Sequence, residues 1–432
     1  MTIYHAPVPE TTRALRGGTR DLTQYVETIR ERFDSVEADV HAFIDETDRW
    51  SRVDHAVTHL KRRYPAAGER PPLYGVPIGV KDIFHVDGLP TRANSELPPS
   101  ELTGAQAPVV SALLDAGAFV LGKTVTTEFA YFAPGPTRNP HALDHTPGGS
   151  SSGSAAAVAT GLCPLALGSQ TVGSVIRPAA FCGVVGFKPS YDRIARDGVL
   201  PLAASVDHVG LFTQNVPGMR LGAAVACPDW TTEPDLDRDP VLGVPTGPYL
   251  EQASDSGREH YRRHLDALRE SGYEIRKAPL LENIDEINER HNDLVAAEAA
   301  LGHADWYAEY GDRYAPETVN LIEKGREVAV SRLADARRGR TTLRESLADA
   351  MAEHGVDLWV APAAPGPAPE GIEDTGDPVM NLPWTHAGVP AVTVPGSETA
   401  DGRPLGLQIV ADFGSDEALL YWAEGLATAL SN

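Results

Sequence analysis

Cysteine is nearly missing from this chain: its three residues, Cys163, Cys182 and Cys227, are an odd number with no C-x-x-C pair. That excludes a disulfide framework and a thiolate zinc site, and the three read as small buried residues in a reducing compartment. H-E-x-x-H is absent too. His141 and His145 have the spacing of metal ligands on a helix, but Pro140 and Pro147 bracket them and deny them that helix. Neither a metal nor a cofactor is expected. Basic charge is short: 37 Lys and Arg face 60 Asp and Glu for a net charge of −23, and lysine occurs only at Lys61, Lys81, Lys123, Lys188, Lys277 and Lys324. This balance argues against nucleic acid as a direct partner and is what adaptation to high salt, or a GC-rich genome, would leave. No apolar run reaches the roughly 20 residues of a membrane-spanning helix, and the first ten residues lack the basic and apolar regions of a signal peptide. A cytoplasmic protein without membrane contact is expected.

Glycine and serine are instead concentrated between His145 and Ser190. Gly148-Gly-Ser-Ser-Ser-Gly-Ser154 runs straight into Ala155-Ala-Ala-Val-Ala159, and Gln170-Thr-Val-Gly-Ser174 and Phe181-Cys-Gly183 follow. Such a loop takes φ > 0 readily and turns N–H groups into one concavity, so it suits an anion or a group that becomes anionic. Four readings stand on these residues alone. One is a phosphate cradle, although no dinucleotide fingerprint accompanies it. Another is a nucleophile elbow at Gly149–Gly153 with Ser151 as nucleophile, although no strand can precede it. The third is an acyl-transfer site in which serines react and backbone amides hold the oxyanion. The fourth is a flexible connector. Upstream, Gly117-Ala-Phe-Val-Leu-Gly-Lys-Thr124 matches a P-loop letter for letter. There a helix comes first and an apolar strand fills the space between the glycines, so nucleotide binding is rejected.

Along the chain, residues 1 to 20 read as an irregular arm, and apolar positions from Leu22 to Phe33 and from Trp50 to Leu60 keep helical spacing. Leu73 to Val86 reads as a strand bent at Gly79, with Lys81 and Asp82 on opposite faces. Pro228 to Pro248 reads as a surface loop, 255 to 350 as mostly helical, and strands are expected at Asp357–Ala361, Ala391–Val394 and Leu405–Ala411 before a last helix from Asp416.

The Gly148–Ser154 string, Gly173-Ser174 and Pro178-Ala-Ala-Phe-Cys-Gly-Val-Val-Gly-Phe-Lys-Pro189 together resemble the signature block of the amidase signature family of serine hydrolases. Gly75-Val-Pro-Ile-Gly-Val-Lys-Asp82 is similar to its lysine-bearing strand, and Gly388-Val-Pro-Ala-Val-Thr-Val-Pro395 and Gly406-Leu-Gln-Ile409 to its C-terminal sheet segments. The resemblance implies an α/β fold, a single large domain with a central mixed β-sheet surrounded by helices. It divides the chain into an N-terminal helical arm packed on the body (1–70) and the signature domain (71–432), whose region 190–380 varies with substrate. By the same resemblance Ser174 is the acyl-forming nucleophile, Ser150 a bridging serine after a cis peptide bond, and Lys81 the base that relays protons through Ser150. The N–H groups of Thr171, Val172, Gly173 and Ser174 form the oxyanion hole. To act as base, Lys81 must be neutral.

The function implied is a metal-independent amidase that hydrolyses a carboxamide or related C–N bond of a small-molecule substrate; a homodimer is left open. The family commonly has glycine at Val172, an acidic residue at Gln170 and arginine at Ile176. These departures favour a free-standing amidase over the glutaminase component of a tRNA-dependent amidotransferase, which would need partner chains. Two further readings compete: a non-catalytic binding protein that keeps the fold, and a Ser-His-Asp hydrolase using Asp207-His208. Ser151, Ser152 and Ser154 are expected to cap the alanine helix and bond the loop, and Lys123 and Lys188 to be structural.

Overall fold

Ten short strands account for the sheet of this computed structural model, which describes residues 3–431. They are β1 Pro77–Lys81, β2 Phe119–Thr124, β3 Leu165–Gln170, β4 Val185–Lys188, β5 His208–Thr213, β6 Leu242–Thr246, β7 Ile275–Pro279, β8 Leu358–Pro362, β9 Ala391–Glu398 and β10 Pro404–Val410. The order across the sheet is β2-β1-β3-β5-β4-β9-β10-β8-β6-β7. β2-β1-β3 and β8-β6-β7 pair in parallel, and the strands between them are antiparallel. Most strands are buried at every position, which is why they read as continuous apolar runs without alternation: helices cover both faces. The chain is therefore one α/β domain, a mixed sheet wrapped by helices.

Fifteen α-helices are present among the described residues. α1 (Val8–Gly17), α2 (Leu22–Val40) and α3 (Arg49–Arg63) pack through Leu15, Tyr25, Val26, Val53 and Val57 on Phe119 and Leu121 of β2 and on the alanines of α5 (Ser152–Ala159). Met1, Thr2 and Asn432, which the expected arm and body include, lie outside the described residues. α4 (Pro108–Asp115) precedes β2, and α6 (Ile176–Phe181) and α7 (Val216–Ala226) follow β3 and β5. α8 (Pro248–Glu251) and α9 (Asp255–Glu270) lead to β7; then come α10 (Ile284–Gly302), α11 (Ala304–Tyr310), α12 (Pro316–Glu327), α13 (Val330–His354), α14 (Leu382–Ala387) and α15 (Asp416–Ser431).

Three local expectations are corrected. The arm expected to be irregular over residues 1 to 20 is helical from Val8 to Gly17, where Pro9 opens α1 and Gly18, at φ 74°, ends it. The strand expected over 73–86 is only five residues long: backbone N–H groups of Ile83 and Phe84 turn back to the Lys81 carbonyl, so the chain leaves the sheet at Lys81. The loop expected over 228–248 contains β6, whose Pro245 is tolerated because β8 pairs with only Leu242 and Gly243.

α5 explains the alanine run. All eight of its residues are buried, the helix packs on β1, β2, β3, β5 and α6, and a side chain at Gly153 would lie 2.1 Å from the Ala42 carbonyl oxygen. At Gly153 not even a methyl fits, and small residues fill most of the rest of the helix.

Candidate active site

Lys81 ends β1 and is fully buried. Its Nζ donates to Ser150 Oγ at 2.6 Å and to Ser169 Oγ at 2.8 Å. Burial holds this ammonium well below the ordinary lysine range, and Asp207 is the charge that opposes the shift. The neighbouring carboxylate does not, since Asp82 faces the other way and pairs with Lys123 at 2.7 Å. Period-two alternation thus separates one lysine whose charge is disfavoured by burial from another that is paired with a carboxylate. Lys188, also fully buried, donates to the Pro189 and Val389 carbonyls.

Ser150 follows a cis peptide bond from Gly149. Arg177, buried within α6, donates to the Gly149 carbonyl at 2.7 Å and to Thr375 Oγ1 at 3.2 Å, and also to the Gly376 carbonyl. It ties the serine loop to the 375–376 segment. The other serines of the loop are not helix caps. Ser151 Oγ bridges the N–H and C=O of Ser169, Ser152 donates to the Val125 carbonyl, and Ser154 donates to the Leu167 carbonyl and pairs with Thr124 Oγ1. α5 starts inside the core, where neighbouring strands offer these hydroxyls closer partners than its own first turn does.

Beyond β3 the chain turns through Thr171–Ser174. None of the four backbone N–H groups of this turn donates to an acceptor among the described residues. The turn is braced on its outside. Gln170 Oε1 accepts from the N–H of Val175 at 2.8 Å and of Ile176 at 3.0 Å, doing with a neutral carboxamide what a carboxylate could do. Thr171 Oγ1 donates to Asp207 Oδ1 at 2.6 Å, and Asp207 Oδ2 accepts from the N–H of Leu202 and Ala203. Gly173 has no room for a side chain, because a Cβ there would lie 2.4 Å from Asn381 Oδ1. Ser174 closes the turn at 8% exposure, and its Oγ has no hydrogen-bond partner among the described residues.

The structure thus joins Lys81 to Ser150 directly, with Ser174 at the end of the adjoining turn. A cavity of about 560 Å³ reaches Ser169, Thr171 and Asp207, and another of about 510 Å³ lies against Val172, Tyr131, Lys324 and Asp377. Asp207-His208 does not form the acid–histidine half of a triad: Asp207 braces the turn, and His208 Nδ1 contacts the Val206 carbonyl at 2.6 Å. Sequence reasoning missed Ser169, the bracing by Asp207 and the reach of Arg177. Ser169 carried a local signal, being two residues before the turn on a strand parallel to β1. Cys163, Cys182 and Cys227 are buried free thiols. Among the described residues no helix is long and apolar enough to cross a membrane.

A family model described as Amidase matches residues 24–420. The chain is 30% identical to the glutamyl-tRNA(Gln) amidotransferase A subunit of Geobacter sp. (strain M21), over 97% of this chain and 96% of the relative. It is 33% identical to the corresponding protein of Prochlorococcus marinus (strain NATL2A), over 82% and 83%. Among solved structures it resembles an amidase (32% identity, TM-score 0.88, covering 98% of this chain and 99% of that one). It also resembles a chain from a vestigial complex tied to the evolutionary origins of an s-triazine catabolic enzyme (27%, 0.86, 99% and 98%). The peptide amidase of Stenotrophomonas maltophilia shares the fold at 24% identity (TM-score 0.81, 99% and 97%).

Proposed function

The chain belongs to the amidase family of enzymes that hydrolyse C–N bonds, and from that premise we propose that it is a free-standing amidase acting on a small-molecule carboxamide through an acyl-Ser174 intermediate. The observation that carries this reading is the contact of Ser150 with a buried lysine whose pKa burial lowers, beside four unused amides that end at Ser174.

In this reading neutral Lys81 takes the Ser150 proton while Ser150 takes the Ser174 proton, and Ser174 Oγ attacks the amide carbon. The carbonyl oxygen becomes an oxyanion held by the amides of Thr171–Ser174. Collapse breaks the C–N bond as the same relay returns a proton to the departing nitrogen. Water then enters, gives its proton to the relay and hydrolyses the ester, releasing the acid and restoring Ser174. Ser169 accepts the remaining Lys81 donor and keeps Nζ aimed at Ser150.

A second reading is favoured by the full-length similarity to the amidotransferase proteins: ammonia made for a partner chain. Gln170 and Ile176, uncharged in the turn, support the free-standing reading over it. A fluorophosphonate probe tests the shared core of both. Mass mapping of the label to Ser174, with none in Ser174→Ala, is expected; an unlabelled wild type would restore the non-catalytic reading.

A further inference from the structure

Two carbonyls of the 171–174 turn are held by α10 and α14. His291 of α10, fully buried, donates from Nε2 to the Thr171 carbonyl at 3.1 Å. Thr385 of α14 donates from Oγ1 to the Val172 carbonyl at 2.6 Å, the shorter of its two bonds to carbonyls. Both peptides are trans, and a trans peptide sets its N–H antiparallel to its C=O. Holding the Thr171 carbonyl therefore fixes the Val172 N–H, and holding the Val172 carbonyl fixes the Gly173 N–H. Both N–H groups are turned away from α10 and α14 and lack an acceptor among the described residues.

The clamp is itself ordered. A carbonyl only accepts, so His291 carries its proton on Nε2, and its Nδ1 accepts from Nδ1–H of His386, 3.2 Å away. Burial pushes His291 down to about 3 and His386 to about 2, so both rings stay neutral and the tautomers do not change near neutral pH. Thr385 Oγ1 accepts in turn from Gln170 Nε2 at 2.9 Å. Thr385 and His386 are adjacent on one short helix, which links both halves.

We propose that His291 and Thr385 are positioning residues that aim the Val172 and Gly173 amides at the developing oxyanion, in a turn whose flanking residues Gln170 and Ile176 supply no charge. This rests on the reading of Ser174 as nucleophile. Neither residue touches the reacting atoms; both act through the turn.

Saturation kinetics with a fluorophosphonate separate its reversible binding constant from the rate of phosphonylation, which places negative charge on oxygen as acylation does. His291→Leu is expected to slow phosphonylation about 10- to 100-fold, less than the ~10²–10³ that removal of an oxyanion donor costs, with the binding constant unchanged. His291→Gln, which keeps a donating N–H, is expected to recover most of the rate. Thr385→Val and Thr385→Ser should repeat this pair of outcomes, and decide the matter if His291→Leu does not fold. Wild-type rates in folded His291→Leu and Thr385→Val would overturn the inference, as would a loss confined to the binding constant. A wild type unlabelled at Ser174 would instead overturn the proposed function, and this inference with it.

Discussion

Lys81 sits where burial makes its charge costly. Its hydrogen-bond partners are hydroxyls rather than carboxylates, and burial lowers its pKa from the ordinary ~10.4. A base must be unprotonated, so kcat/KM should rise with pH through a group titrating below that ordinary value and be lost on the acid side. Lys81→Ala should cost about 10²–10⁴ in kcat/KM, the usual contribution of a positioned acid–base group, and should abolish that acid limb; a pH-rate profile checks both. Gly173 gives a steric test at the same scale. In Gly173→Ala the new methyl meets Asn381 Oδ1 and Pro378 Cβ, so the turn must shift. Phosphonylation of Ser174 should slow by about the 10²–10³ expected when an oxyanion donor is lost, while KM for an amide substrate changes little.

Among the elements, α5 and the β1–β2 pair bear the site from beneath. Gly153 packs so closely on Ala42 and Val125 that Gly153→Ala should destabilise the fold by the ~1–3 kcal/mol of overpacking or more, measured by urea unfolding. Lys123→Met leaves Asp82 buried without its cation. It should cost about 3–5 kcal/mol, as breaking a buried pair does, and should leave the chemistry of Lys81 in place once the protein is folded. These elements also mark what the sequence could and could not say. The alternation that separates Lys81 from Asp82, and the Gly-Ser block around Ser150, are local patterns and were legible. The strand end at Lys81 was overrun because Ile83, Phe84 and Val86 are as apolar as a strand, and only backbone bonds to the Lys81 carbonyl turn the chain away. The serines of α5 looked like caps because capping is a local habit; tertiary partners won.

For the molecule as a whole, what stayed hidden is long-range. Thr171 meets His291 across 120 residues and Gln170 meets Thr385 across 215. No periodicity connects such positions, and His291 lies in the region 190–380 that the family resemblance leaves variable. The charge of the whole chain makes its own prediction. A net −23 repels itself, and salt screens that repulsion, with a Debye length near 3 Å at about 1 M. Tm should therefore rise from low salt to molar KCl; a Tm that is flat or falling would count against adaptation to high salt.

Hydrolysis of an amide by this chain alone, through Ser174, is the step on which the proposed function stands. It is tested most directly by ammonia release from a panel of carboxamides, ureas and glutamine, using the purified chain alone with Ser174→Ala beside it. Turnover of at least one panel member by the chain alone, and none by the variant, is expected. Turnover that survives Ser174→Ala, or ammonia released from glutamine only when a partner chain is added, would contradict it.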